Sequence, residues 1–299
     1  MARSTIFSTT AFFLVIFGFV GMYIWKHEHR LPVFEMFVFP LKTGRSLFLR
    51  TPSDTRILID GGSNSEVIRY ITRIVPFYSR RIDAIFITTT DSKNIAGLID
   101  IIQRYSVHDI YIPKYRSISN DKTYDIFIET ITSLGISIHE LEQGDSLDLN
   151  TLTSLRKNKE KEVKMNVLFP APPDVFEYSK ASLPELLMSF TYENNLVVFM
   201  GNATSKVQKY ITASTTRKKS DVAIVSHGAT VSTITEDFIN TFQPTSIVYA
   251  RTLQKSKKKD VKEIKIGDPL AGILNENRFN IREKGMVKII SDGADLKIN

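Results

Sequence analysis

The sequence predicts an α/β (α+β) fold: two stacked β-sheets with helices on their outer faces, preceded by one N-terminal transmembrane helix. Three observations carry this. Short apolar, β-branched runs alternate with helix-spaced segments through both halves of the chain. Such elements bury their apolar faces by stacking in layers. The stretch from Thr5 to Trp25, "TIFSTTAFFLVIFGFVGMYIW", carries no charged residue. Nothing recurs at a fixed period, which argues against a solenoid or propeller.

The apolar stretch is long enough, at about 1.5 Å per residue, to cross a hydrocarbon core of about 30 Å. Tyr23 and Trp25 stand at one end, where amphipathic aromatics favour the interface. A cleavable signal peptide is the competing reading. The run is longer than the usual apolar region of such peptides, and no small-residue cleavage site follows. Residues 1–30 are therefore expected to form an anchor and its flank, and residues 31–299 the folded domain. Arg3 precedes the run while Lys26 and Arg30 follow it, so positive charge leaves orientation nearly balanced. A short tail before a large domain fits a single-pass signal anchor with the domain outside the cytoplasm.

After the anchor, residues 34–39, 46–50 and 56–59 read as consecutive antiparallel strands separated by turn residues. Asp60-Gly61-Gly62 closes the third, and a helix follows through 67–75. Strand 82–88, helix 94–104, strand 109–112, helix 124–134 and strand 137–141 come next. The polar, lysine-rich stretch 151–164 marks a seam. Strands are then expected at 165–169, 187–192 and 196–200, a helix at about 203–213, a strand at 221–225 and a helix at 233–242. Strands at 246–250 and 287–290 follow, with Asp292-Gly293 as a final hairpin turn.

Composition is that of an ordinary globular protein: 42% of the 299 residues are hydrophobic and 24% charged. There is no cysteine, which excludes disulfides and thiolate-ligated metals. The net charge of +7 gathers largely in residues 156–164, 217–219 and 255–265. Glu160, Glu162, Asp260 and Glu263 interrupt two of these runs, so they read as solvated loops. They also contain almost no aromatic residues, which disfavours a groove for single-stranded nucleic acid.

The segments "SLFLRTPSDTRILIDGG" and "RRIDAIFITTTDSKNIAGL" resemble the metallo-β-lactamase superfamily, and within it the hydrolase-like domain of ComEC-type competence proteins. The likeness runs from Phe34 to Ile298. It implies a four-layer αββα sandwich with one or two zinc or manganese ions between the sheet edges, activating a water molecule for hydrolysis.

Carried over residue by residue, the ligand pattern fails. Thr89 stands at the first histidine, Asp91 keeps an acid, Lys93 replaces an aspartate and Asn94 the second histidine. Asn202 replaces a bridging aspartate, and Ser226 the first of two adjacent histidines, leaving His227. The acids of an earlier loop are gone from "PLKTGRS", Pro40 to Ser46. Asp60, Asp91 and His227 alone remain, and hydroxyls, amides and ammonium groups are poor zinc ligands. Lys93 reads first as a lysine extending into solvent; the sharper alternative is that it supplies, beside Asp60 and Asp91, the positive charge of the missing ion. His227 packs, ligates or acts as a base; His108 and His139 read as structural.

The expected protein is thus a membrane-anchored binding or scaffolding module with no catalytic residue, no metal ligand set and no cofactor. Its expected partners are the membrane, through the N-terminal helix, and an envelope protein, with nucleic acid as a weaker candidate. Two alternatives stand beside it: a metal-dependent, phosphodiesterase- or nuclease-like hydrolase using Asp60, Asp91 and His227 around zinc or manganese, and an accessory single-stranded DNA-binding protein of DNA uptake.

Overall fold

The computed structural model describes residues 33–115, 122–152, 161–178, 184–216, 218–225, 234–250 and 272–299, together with positions 15, 17, 18 and 22. The chain divides into Met1–Pro32 and Val33–Asn299. In the first unit the four described positions are helical, and Val15, Phe17 and Met22 are exposed. Among the described residues no helix is long and apolar enough to cross a membrane. The stretch 5–25 lies otherwise outside the described residues.

In the second unit, β1 (Phe34–Val38), β2 (Leu47–Arg50) and β3 (Arg56–Ile59) form the antiparallel meander that the alternating runs predict. Helix α1 (Glu66–Ile74) then crosses to β4 (Arg81–Phe86), α2 (Ser92–Arg104) to β5 (Ser106–Pro113), and α3 (Lys122–Ser133) to β6 (Ser137–Leu141). Strands β3 to β6 are parallel, as helical crossovers require. Strand β14 (Val287–Ser291) adds antiparallel to β1 and β15 (Leu296–Ile298) antiparallel to β14, giving the order β15-β14-β1-β2-β3-β4-β5-β6.

The second sheet repeats the scheme. Strands β7 (Ser146–Asp148), β8 (Val163–Phe169), β9 (Leu187–Tyr192) and β10 (Asn195–Phe199) run antiparallel. Helix α4 (Ser205–Ser214) leads to β11 (Val222–Val225) and α5 (Glu236–Phe242) to β12 (Ser246–Tyr249), both parallel to β10. Strand β13 (Arg278–Asn280) and the short α6 (Ile281–Lys284) complete it, in the order β13-β12-β11-β10-β9-β8-β7.

Three apolar cores fill the three spaces between four layers. Alternation along each strand sends successive side chains to opposite faces. Met36, Leu49, Ile59 and Phe86 of the first sheet meet Met165, Phe190, Val197 and Ile224 of the second in the central core. On the first sheet's outer face, Phe37, Phe48, Leu58 and Ile85 pack against Ile71 of α1, Leu98 of α2 and Phe127 of α3. On the second sheet's outer face, Leu196, Val198 and Ile247 pack against Val207 and Ile211 of α4 and Phe238 of α5. The αββα layering is therefore present.

The expected elements sit within a few residues of their predicted places. β7, β13 and α6 lie outside the expected elements: the two strands have three residues each and the helix a single turn, too short to show a period. The seam also ends earlier, because Val163 already pairs with Tyr192.

Candidate functional site

In both sheets the parallel strands end at the same rim of the sandwich, where open α/β sheets place their ligands. From the first sheet, Asp60 follows β3 and Thr88 follows β4; from the second, Gly201 follows β10. Asp60 is completely buried and takes a left-handed backbone, φ 55°. Its amide donates to Phe86 O at 2.9 Å, which turns the carboxylate along the rim.

The centre of this rim is occupied by Arg45. It comes from the loop between β1 and β2, is only 7% exposed, and its guanidinium joins the two sheets. Arg45 Nε donates to Asp60 Oδ2 at 2.7 Å. Nη2 lies 2.5 Å from Glu185 Oε1, just ahead of β9, and also donates to Thr88 Oγ1. Below it lies the Phe199 ring, 5.6 Å from the guanidinium carbon to the ring centre, an arrangement that favours a cation.

Further donors hold the acids. Thr88 gives its amide to Asp60 Oδ1 at 2.8 Å and its hydroxyl to Asp60 Oδ2 at 2.6 Å. Ser46 Oγ donates to Asp60 O at 2.8 Å, and the Asn202 amide to Glu185 Oε1 at 2.9 Å. The Leu186 amide donates to Thr88 O at 2.8 Å, a second tie between the sheets.

Two glycines allow this packing. A Cβ at Gly44, φ 75°, would fall 1.8 Å from Lys93 O, so only glycine lets the Arg45 loop pass against α2. A Cβ at Gly201, φ 46°, would fall 2.1 Å from Glu185 Oε1.

Charge does not balance within the cluster: two carboxyls face one guanidinium. Burial pushes the Asp60 carboxyl above its ordinary range, and Arg45 and the Thr88 donors recover only part of that shift. Burial raises Glu185 likewise, against the pull of Arg45 and the Asn202 amide, while Asp60 adds to the rise. Burial alone would lower Arg45, but Glu185 and Asp60 outweigh it and raise it, so the guanidinium stays charged.

The residues singled out in the sequence fall into two groups. Asp60 is at the centre. Asn94 is buried beside it, with Oδ1 accepting from the Arg45 amide at 3.2 Å and Nδ2 donating to Thr89 Oγ1 at 3.3 Å. Asn202 contributes its amide while its side chain is exposed. Thr89, Asp91 and Lys93 instead build the start of α2: Asp91 caps the helix, accepting from the Lys93 amide at 3.0 Å, and Thr89 Oγ1 accepts from the Asp91 amide. Lys93 itself is exposed. That matches the reading in which Lys93 extends into solvent, and the buried cation beside Asp60 is instead Arg45. Ser226 and His227 lie outside the described residues. His139 is exposed and pairs with Asp109 at 2.9 Å.

Sequence reasoning missed Arg45, Thr88 and Glu185. The available signal was a lone charge next to an apolar strand in "TGRSLFL" and again in "LPELLMSF".

This set does not fit a divalent ion. A guanidinium has no lone pair to offer and repels a cation, and it already engages the two buried carboxyls that a metal would need. Among the described residues no group of three or more histidine, cysteine or acidic side chains could hold a metal ion.

No protein-family model matches the chain, and no curated protein matches it. Solved structures are similar to the chain at low identity. One is the metallo-β-lactamase fold protein YhfI from Bacillus subtilis, with 12% identity and a TM-score of 0.46 over 73% of this chain and 85% of that one. Another is the short form of human tRNase Z, with 14% identity and a TM-score of 0.43 over 72% and 91%. A third is Zn(2+)-bound PqqB from Methylobacterium extorquens, with 10% identity and a TM-score of 0.42 over 69% and 74%.

Proposed function

We propose that this chain is a membrane-tethered, non-hydrolytic relative of the ComEC-type domains it resembles, acting outside the cytoplasm as a binding or scaffolding module. One observation carries the reading: the Arg45 guanidinium bridges Asp60 and Glu185 at the rim where the resemblance puts a metal. A metal-dependent hydrolase makes its nucleophile by lowering the pKa of a bound water. Arg45 offers no coordination position for that water, and it draws the carboxylates into its own hydrogen bonds. The sandwich itself buries three apolar cores without help from the rim, so the fold persists without the chemistry. Tethering is supported by the uncharged stretch 5–25 and by the exposure of Val15, Phe17 and Met22.

Elemental analysis of the full chain, purified after growth with added zinc and manganese, tests the reading. Well below one metal per chain is expected, with an unfolding temperature unchanged by chelator. Stoichiometric metal, lost together with phosphodiester hydrolysis in Asp60→Ala, would overturn it.

A further inference from the structure

The end of the sandwich opposite the Arg45 rim carries an exposed aromatic pair ringed by arginines. Phe77 is 84% exposed and Tyr78 67%, with their rings edge to face at 5.4 Å. The two rings present a local apolar and aromatic surface to solvent. They sit in the turn between α1 and β4, and that turn is held in place. The Ser79 amide donates to Pro76 O at 3.0 Å, and Arg56 Nη1 donates to Ser79 O at 2.9 Å and to Ser79 Oγ at 3.0 Å.

Next to the pair is an open cavity of about 120 Å³ walled by Ile68, Val75, Pro76 and Phe77, with Arg80 and Arg104 at its rim. The exposed Arg73 lies on the same end of α1. Among the described residues no carboxylate forms an ion pair with Arg73, Arg80 or Arg104. Of the nearby acids, Glu66 is engaged with Arg69, and Asp54 and Asp83 with Arg81, while Asp100, four residues before Arg104 on α2, forms no ion pair with it. Residues 67–82 contain no acid. Burial raises the Tyr105 hydroxyl, and Arg80 and Arg104 offset part of that rise.

Sheet register places this patch. Glu35 of β1 pairs with Arg50 of β2, Arg50 with Arg56 of β3, Ile57 with Ala84 of β4, and Arg81 with Ser106 of β5. The start of β1, where the chain enters the domain, is thus at the same end as the Phe77 turn and the last turn of α2. Eight residues, 26–33, separate the uncharged stretch from β1, a reach of at most about 28 Å.

We propose that the Phe77–Tyr78 turn and the arginines around it form a surface that docks on an anionic lipid bilayer, so that the Arg45 rim faces away from the membrane. The aromatics enter the headgroup region, where such rings are favoured. The arginines take lipid phosphates through paired N–H donors. The choice of partner rests on the membrane-tethered reading above.

The test separates the two. Residues 33–299, which hold all three cores, are sedimented with vesicles of phosphatidylcholine alone or with about one-third phosphatidylglycerol. Binding is expected only with the anionic lipid, and release is expected as salt rises to about 0.5 M. Phe77→Ser with Tyr78→Ser should lower binding at least about tenfold, and Arg80→Gln or Arg104→Gln about fivefold each. These exposed changes should leave the unfolding temperature within about 1 °C. No vesicle binding, or equal binding by all variants, overturns the proposal. So does a preference for soluble polyglutamate that the same variants abolish, which would identify an acidic polypeptide partner. Carbonate extraction of the full chain from membranes decides the tether separately: if it is extracted while residues 33–299 bind vesicles, the tether fails and the docking surface stands.

Discussion

Arg45 of the first sheet and Glu185 of the second meet at 2.5 Å, completing a buried bridge whose other support is the Arg45–Asp60 pair at 2.7 Å. A cross-sheet ion pair at the rim gives the two halves of the sandwich one fixed relation there. Burying charge is costly, so such a cluster contributes little net stability when intact and costs much when broken. Its value is in specificity: the rim closes in one arrangement.

Arg45→Met keeps most of the side-chain volume and removes the cation, leaving Asp60 and Glu185 buried without it. The expected loss is about 3–5 kcal/mol, or roughly 10 °C in a domain of this size. Arg45→Lys should recover only part of it, because a single ammonium cannot reproduce the planar fork that reaches Asp60, Thr88 and Glu185 together. Thermal unfolding followed by circular dichroism measures both.

The two acids should respond differently to amide substitution. Asp60 accepts from Arg45 Nε, the Thr88 amide and the Thr88 hydroxyl, so Asp60→Asn turns an amide donor against a donor whichever way it is placed. A loss of about 2–3 kcal/mol is expected. In Glu185→Gln the carbonyl oxygen can still accept from Arg45 and from the Asn202 amide, and the surplus charge is removed.

The Glu185 pair of proteins should also diverge with pH. The folded carboxyl titrates above its unfolded value of about 4.5, so folding takes up protons there. That contribution is fully present below the unfolded pKa and is lost as pH rises through the folded one. Glutamine has no proton to lose. The unfolding temperature of Glu185→Gln relative to wild type should therefore climb between pH 4 and pH 8. A difference that falls over this range would show that the ionised form is the one the fold prefers.

Lys93→Ala should change the unfolding temperature by no more than about 1 °C, since the side chain is exposed and the bond that caps α2 comes from its backbone amide. A drop of several degrees would restore Lys93 as a structural cation.

What the sequence disclosed follows from the range over which each signal acts. Strands of four residues or more and helices of seven or more announce themselves by period, and Asp60 by the two glycines that end its strand. Arg45 is different. In its own neighbourhood, after Lys42, Thr43 and Gly44, it looks like one more turn residue exposed to water. Its burial is decided by Glu185, which arrives from the other sheet, and no local pattern joins the two. Lys93 reads either way in the sequence, because its loop keeps the place of the resembled motif without its ligand types; helix geometry is what points that position outward. Matching a motif located the loop; only packing chose the cation.

Gly201 offers a way to disturb the bridge without touching its charges. In Gly201→Ala the new methyl would fall 2.1 Å from Glu185 Oε1, so the carboxyl must leave both Arg45 and the Asn202 amide. The left-handed backbone, φ 46°, adds strain of about 1–2 kcal/mol by itself. Gly135→Ala is the matched control: φ is 66°, and nothing lies within 4 Å of the added methyl. The control should lose only the strain, while Gly201→Ala should lose about 2 kcal/mol more from the displaced hydrogen bonds. Combining Gly201→Ala with Glu185→Ala separates the causes. If the methyl acts by expelling the carboxyl, the double variant is less damaged than the sum of the two singles, and additive losses would place the harm in the backbone alone.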